Sequence, residues 1–323
     1  MDIEVLKRAY EREKERRKQA ENLLEEKSRE LYLSYEKLNK SHQQLEQTHA
    51  DLHKQKEELV QLINAYASVT NDLQLAAKLQ SDLLPEPLET STVAASGYFL
   101  PALFVAGDAY DFFMLSKDVL ALYIIDVEGH GTASAMTSFA IHSQLNPKSD
   151  GICKRAMEKH SNPDDAVRAT VRHLNEGFYN QASTNKYFTM IYGLLDLTTG
   201  VFTWCQAGHP ALVLCTDAKT SEIGDGGFPV GTLEDPPYST ESITMQPGER
   251  IAVYSDGIIE CISDSKEAFG KERLIDLLEQ TKTQSRSDCI NTLKDTLVDW
   301  NGSEEFTDDV TMVIVDYLGA ARK

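Results

Sequence analysis

The sequence predicts an α+β protein, a long unbroken helix followed by a domain of antiparallel sheets covered by helices, and three observations carry that expectation. Residues 1–84 contain neither Gly nor Pro and are rich in Glu, Lys, Leu, Gln and Arg, so little in them stops a helix. Beyond residue 84, short apolar runs alternate with turn signals such as Thr198-Thr199-Gly200 and Pro247-Gly248-Glu249. Helical stretches fall in clusters between strand pairs, the arrangement of hairpin-built sheets.

Within the opening helix, leucine recurs every seven residues at Leu24, Leu31, Leu38, Leu45, Leu52 and Leu59. That spacing marks a coiled-coil seam with leucine at position d. The a positions are Ser28, Tyr35, His42, His49, Lys56 and Ile63, mostly polar, which gives up stability and fixes register. Such a helix cannot bury its stripe alone. Residues 1–84 are therefore expected to be a dimerisation helix in a parallel homodimer, a coil to another protein being the alternative. Protonated His42 and His49 would crowd charge across the seam, although tolerated seam polars look the same. Pro85-Glu86-Pro87 should end the helix at Leu84.

Residues 85–323 are expected to form the folded domain. Strands are predicted at Val119–Val127, Tyr187–Leu197, Val201–Gln206, Ala211–Cys215, Arg250–Ser255 and Val310–Tyr317. Helices are predicted at Thr132–Leu145, Asp164–Gln181, Lys271–Thr283 and Ser287–Trp300. The hydrophobic share of 41% supports a sizeable core. No apolar run reaches the ~20 residues of a membrane helix. The charged opening MDIEVLKRAYEREKERRK lacks the apolar stretch of a signal peptide, so a cytoplasmic location is expected. Cys153, Cys205, Cys215, Cys261 and Cys289 include no CxxC pair and read as free, mostly buried thiols rather than a zinc site.

The net charge of −19 is uneven: residues 1–84 hold 14 Lys+Arg against 16 Asp+Glu, and the remainder holds 18 against 35. Such an acidic domain repels nucleic acid. Several of its carboxylates sit at strand ends. Asp108 lies in Ala-Gly-Asp-Ala-Tyr-Asp, Asp126 closes the apolar run from Leu120, Asp256 follows another in Tyr-Ser-Asp-Gly, and Asp308-Asp309 precede Val310–Tyr317. A lone Asp there is usually a turn or cap. Several together, with no Lys or Arg within five residues of Asp126 or four of Asp308, lack local ion-pair partners. Divalent cations are the natural alternative, and oxygen-only donors select Mg²⁺ or Mn²⁺ over zinc. Spacing alone stops at a divalent-metal site.

Seven segments carry a more specific likeness. They are Leu79-Gln80 with Leu83-Leu84-Pro85, Ala106-Gly107-Asp108-Ala109-Tyr110-Asp111-Phe112, Asp126-Val127-Glu128-Gly129-His130-Gly131, Ala207-Gly208-His209-Pro210, Pro229-Val230-Gly231, Tyr254-Ser255-Asp256-Gly257 and Thr307-Asp308-Asp309-Val310-Thr311. In that order they resemble the bacterial PPM-type (protein phosphatase 2C-like) serine/threonine phosphatases of the RsbU/SpoIIE group, over about residues 75 to 318. The resemblance implies a central antiparallel β-sandwich flanked by helical layers, with two Mn²⁺ or Mg²⁺ ions at one edge. It implies that Asp126 bridges both ions and that the Val127 backbone carbonyl completes one. Asp108 would bind the second ion, and Asp256 and Asp308 the first, with Asp309 beside them or acting through water. A water between the ions would attack phosphorus. His130 is the candidate acid for the leaving oxygen, although Gly-His-Gly equally suits a tight turn. His209 looks structural. Ala106 stands where the group usually has Gly, Glu128 where a small polar residue is commoner, and no Arg is obvious as a phosphate anchor.

The resemblance also implies a substrate, the phosphorylated form of a STAS-domain anti-sigma-factor antagonist, and a regulatory helix, Asn64–Leu84, that either transmits a signal or simply packs on the domain. No receiver, PAS or membrane sensor segment precedes the coil, so a signal is expected to bind the coil or come from a separate sensor protein. Two rivals remain: a catalytically silent pseudo-phosphatase that only binds a partner, and a metal hydrolase acting on a small phosphoester or nucleotide.

Overall fold

The computed structural model describes residues 3–129, 131–146, 151–179 and 186–320. The chain divides into two compact units, Met1–Asn71 and Asp72–Lys323. The first is made of helix α1 (Ile3–Ser81), whose last turns belong to the second unit. Nothing along α1 is buried. The six heptad leucines are between 56% and 73% exposed and form an uncovered stripe along the helix. The helix stops at Ser81, three residues earlier than Pro85 alone predicts. Leu83 and Leu84 instead bond to the carbonyls of Gln80 and Ser81, a tighter i→i+3 turn that suits a residue barred from the α region by the following proline.

In the second unit the described strands are β1 (Leu88–Glu89), β2 (Val93–Leu100), β3 (Ala109–Ser116), β4 (Val119–Val127), β5 (Phe188–Asp196) and β6 (Val201–Ala207). They continue with β7 (Leu212–Cys215), β8 (Thr220–Ile223), β9 (Glu241–Thr244), β10 (Arg250–Tyr254) and β11 (Val310–Tyr317). The helices are α2 (Thr132–Leu145), α3 (Ile152–Lys159), α4 (Pro163–Tyr179), α5 (Asp256–Ile259), α6 (Gly270–Thr281) and α7 (Arg286–Asn301). Two antiparallel sheets form, one in the order β1-β2-β11-β10-β7-β8 and the other β3-β4-β5-β6-β9.

Side-chain alternation explains the layering. Along β4, Leu120, Leu122 and Ile124 enter a core shared with Val313, Val315, Ile251 and Val253 of the other sheet. Ala121, Tyr123, Ile125 and Val127 face α2, α3 and α4 through Ile141, Cys153 and Val171. On the far side, Met312 and Ile314 of β11 pack on Leu274, Leu278, Leu293 and Leu297 of α6 and α7. Strands buried on both faces read as continuous apolar runs, which is why β4 and β11 were legible with their full bounds. The result is the expected sandwich between helical layers.

Several elements gave no such signal. The strand β2, VAASGYFL, has small residues of weak strand preference, and its eight-residue register with β11 makes it a strand. Gly97 within it is dictated by packing, since a Cβ there would lie 2.2 Å from the Tyr110 ring. The five cysteines are free and buried, as expected. From Asp72 onward α1 packs loosely on the domain, where Leu79, Leu83, Ala135 and Phe139 line an apolar pocket.

Candidate metal centre

Antiparallel pairing brings the predicted carboxylates together. The end of β4 lies beside the start of β3, and the register Ala109↔Ile125 carries Asp108 to the level of Asp126. In the other sheet the end of β10 lies beside the start of β11, joined by Tyr254↔Met312 and by the Ser255 N–H donating to the Thr311 carbonyl at 2.9 Å. Asp256 and Asp308-Asp309 therefore sit at one edge of that sheet. The two sets meet through the Thr311 hydroxyl, which donates to Asp108, and through the Gly107 N–H, which donates to Asp309.

Burial first, then the charges of Asp126 and Asp309, raise the Asp108 carboxyl well above its ordinary range, against a 2.6 Å hydrogen bond from the Thr311 hydroxyl. Burial and then Asp256, Asp308, Asp309 and Glu260 push Asp126 up to about 7. Burial with Asp308 and Glu260 raises Asp256 to about 6. Asp309 is also raised, chiefly by burial. Like charges crowded at a half-buried edge require protons or cations, and such clusters mark functional sites. Among the described residues no three Asp, Glu, His or Cys side chains close tightly around one point. The donors gathered here are all oxygens, the chemistry that suits hard ions able to retain several waters.

Backbone contacts hold the basin in shape. One Asp309 carboxylate oxygen accepts the Ala102 N–H at 2.8 Å and the other the Gly107 N–H at 2.7 Å, fastening the loop before Asp108. From α1, Gln80 accepts the Ala106 N–H at 3.0 Å and donates to its carbonyl at 2.9 Å. Ala106 is fully buried in this clasp and needs no glycine. Gly107 does: a Cβ there would lie 2.9 Å from the Val127 carbonyl oxygen. At Gly257 a Cβ would lie 2.1 Å from the Asp309 carbonyl oxygen, so this glycine permits the approach of two loops. Gln80→Ala should lower stability by about 1–2 kcal/mol, because two backbone groups lose their partner. Urea denaturation of the full chain measures it.

Of the other predicted site residues, Val127 lies buried at the end of β4, and His130 falls outside the described residues. Glu128 is exposed, and its charge chiefly raises Tyr187. His209 is buried, bonds the Thr189 hydroxyl at 2.7 Å and is driven by burial to about 3, which makes it a neutral core residue. Sequence reasoning missed Glu260. Its signal was the four-residue spacing from Asp256, one helical turn, but the short α5 was not foreseen.

Two antiparallel sheets packed face to face between helical layers, with carboxylates gathered at one shared edge, define the PP2C-type phosphatase class of fold. The PP2C domain of SiaA from Pseudomonas aeruginosa superposes with a TM-score of 0.65 at 18% identity, covering 78% of this chain and 98% of that one. Residues 116–318 match the family described as Stage II sporulation protein E (SpoIIE), and the chain belongs to that family. Asp126, Asp256, Asp308 and Asp309 fall inside the match, and Asp108 precedes it. Among relatives, Protein IcfG of Synechocystis sp. is 27% identical over 265 residues, 76% of this chain and 41% of that protein. Phosphoserine phosphatase RsbP of Bacillus subtilis is 24% identical over 246 residues, 76% of this chain and 57% of that protein. The chain thus spans about half the length of these relatives.

Proposed function

We propose that this chain is a metal-dependent protein serine/threonine phosphatase, and the observation that carries the reading is the gathering of carboxylates from both sheets at one open edge, where each raises its neighbours. Asp126, acted on by most of the others, is suited to bridge two Mn²⁺ or Mg²⁺ ions. Asp108 would hold one, Asp256 and Asp308 the other, and the Val127 carbonyl would complete a shell. Asp309, with each oxygen engaged by a backbone N–H, acts on this reading as a loop fastener and water-mediated neighbour. When bound, such ions would supply a hydroxide nucleophile and neutralise the phosphoryl oxygens. His130 is proposed as the acid that protonates the departing serine or threonine oxygen.

Asp308 is exposed and Asp126 and Asp256 are half-exposed, so the basin opens at the surface. An open basin favours a phosphate on a folded protein over a small ester, and family kinship favours a phosphorylated STAS-domain anti-sigma-factor antagonist. The uncovered leucine stripe of α1 supports a homodimer through residues 1–84, with an upstream sensor acting on that helix. Five reduced, buried thiols suit the cytoplasm. With Mn²⁺ present, the full chain should release phosphate from a phosphoserine protein faster than from a nucleoside monophosphate. Hydrolysis of the nucleotide alone would overturn the substrate class. Leu38→Glu with Leu45→Glu should convert the dimer to monomer by light scattering, and an unchanged mass would contradict the seam.

A further inference from the structure

The charges acting on the basin are those of other carboxylates, and the buried guanidinium of Arg250 lies at the opposite end of β10 from Asp256, committed to Asp316 at 2.6 Å. We propose that Lys186 anchors the phosphoryl group of the substrate, an inference that rests on the phosphatase reading above. Pairing of β4 with β5 runs Asp126↔Thr189 and Val127↔Phe188, and continues with the Glu128 N–H donating to the Tyr187 carbonyl at 3.1 Å. Lys186 is the next residue out. It is therefore carried to the end of β4 that bears Asp126.

Its ammonium lies over the turn between β4 and α2. Nζ donates to the Glu128 carbonyl at 2.7 Å and to the Ser134 hydroxyl at 3.1 Å, and a Cβ on Gly129 would come within 3.5 Å of it. An ammonium has three donors, so one remains uncommitted among the described residues. Among those residues Lys186 forms no carboxylate ion pair within 4.0 Å. The Ser134 that it touches lies in the first turn of α2, the positive end of a helix, where an anion is the favoured guest. Among the described residues this arrangement offers the ammonium no carboxylate, and the dianionic phosphoryl group is the anion that the proposed reaction brings. A lysine serves phosphate as a compact point charge.

The test compares the full chain, Lys186→Gln and Lys186→Arg, all with Mn²⁺, on para-nitrophenyl phosphate with inorganic phosphate as inhibitor. A lost charge-assisted hydrogen bond predicts a rise of about tenfold in KM and a similar weakening of phosphate inhibition in the Gln variant. The Arg variant should recover most of both, and the half-saturating Mn²⁺ should stay within about twofold of wild type. An unchanged KM and unchanged phosphate inhibition in Lys186→Gln overturn the proposal. So does a variant that alters only thermal stability and Mn²⁺ requirement, which would make Lys186 a brace for the turn through Glu128 and Ser134. A wild-type chain that hydrolyses nothing would sink the phosphatase reading instead. Calorimetry of inorganic phosphate binding to the Mn²⁺-loaded chain would then still decide Lys186: equal binding by wild type and the Gln variant overturns it, and weaker binding by the variant upholds it.

Discussion

Asp126→Asn is expected to reduce Mn²⁺-dependent phosphate release by at least about a thousandfold, because it removes the proposed bridge between two ions, and a single removed transition-state stabiliser alone costs about a hundred- to a thousandfold. The same substitution should raise the stability of the metal-free protein. Asp126 is pushed to about 7 by burial and by four neighbouring carboxylates, so an uncharged amide of the same shape relieves repulsion. Loss of activity together with a higher melting temperature cannot be ascribed to misfolding. The α1 seam is untouched, so light scattering should report an unchanged dimer. Retained turnover, or a fall in the melting temperature of the chelated protein, would break the link between these carboxylates and catalysis.

Chelated protein should lose stability as pH rises from about 4 to above 7, and divalent ions should reverse the loss. The sign follows from the direction of the shifts. Asp126 at about 7 and Asp256 at about 6, with Asp108 and Asp309 also raised, bind protons in the folded state that the unfolded chain has already released. Their contribution is full below the ordinary carboxylate value of 3.8 and disappears as pH rises through 6 to 7. His209 works in the opposite sense. Held near 3 against an ordinary 6.5, it costs stability progressively as pH falls below 6.5. Four carboxylates outweigh one imidazole between pH 5 and 8, and Asp256, partly open to solvent, counts for less than Asp126. A net fall on the order of 2–4 kcal/mol is expected across that window. Millimolar Mg²⁺ or Mn²⁺ at pH 7.5 should recover it, seen as a rise in melting temperature that is small at pH 5. A chelated protein whose melting temperature is flat from pH 5 to 8 would contradict the strained basin.

Much of this was legible from residues alone, for identifiable reasons. The heptad leucines gave α1 because nothing in 84 residues interrupts it, and the apolar runs of β4 and β11 gave two central strands because both faces of each are buried. Weakly patterned elements were lost. The small residues of β2 and the half-exposed β8 and β9 owe their form to partners distant in the chain, Val93–Leu100 to β11 and Glu241–Thr244 to β6. The end of α4 was expected at Gln181, and its described portion closes at Tyr179. Packing of the last turns of α1 on the folded unit, one of the two roles open for Asn64–Leu84, takes the form of the Gln80 clasp on Ala106, a contact that local sequence does not mark. At the site, strand-end aspartates announced themselves by lacking local cations. Glu260 and Lys186 did not: the spacing of Glu260 from Asp256 has meaning only once the short α5 is known, and Lys186 is carried to the edge by a strand register that leaves no mark in local sequence.

The most direct test of the account is phosphate release from a phosphoserine protein by the full chain, first stripped with chelator and then titrated with Mn²⁺. The account predicts no turnover in the stripped protein, saturable recovery as Mn²⁺ is added, and no recovery in Asp126→Asn. Turnover that survives complete chelation, or that Mn²⁺ restores equally in Asp126→Asn, would contradict it.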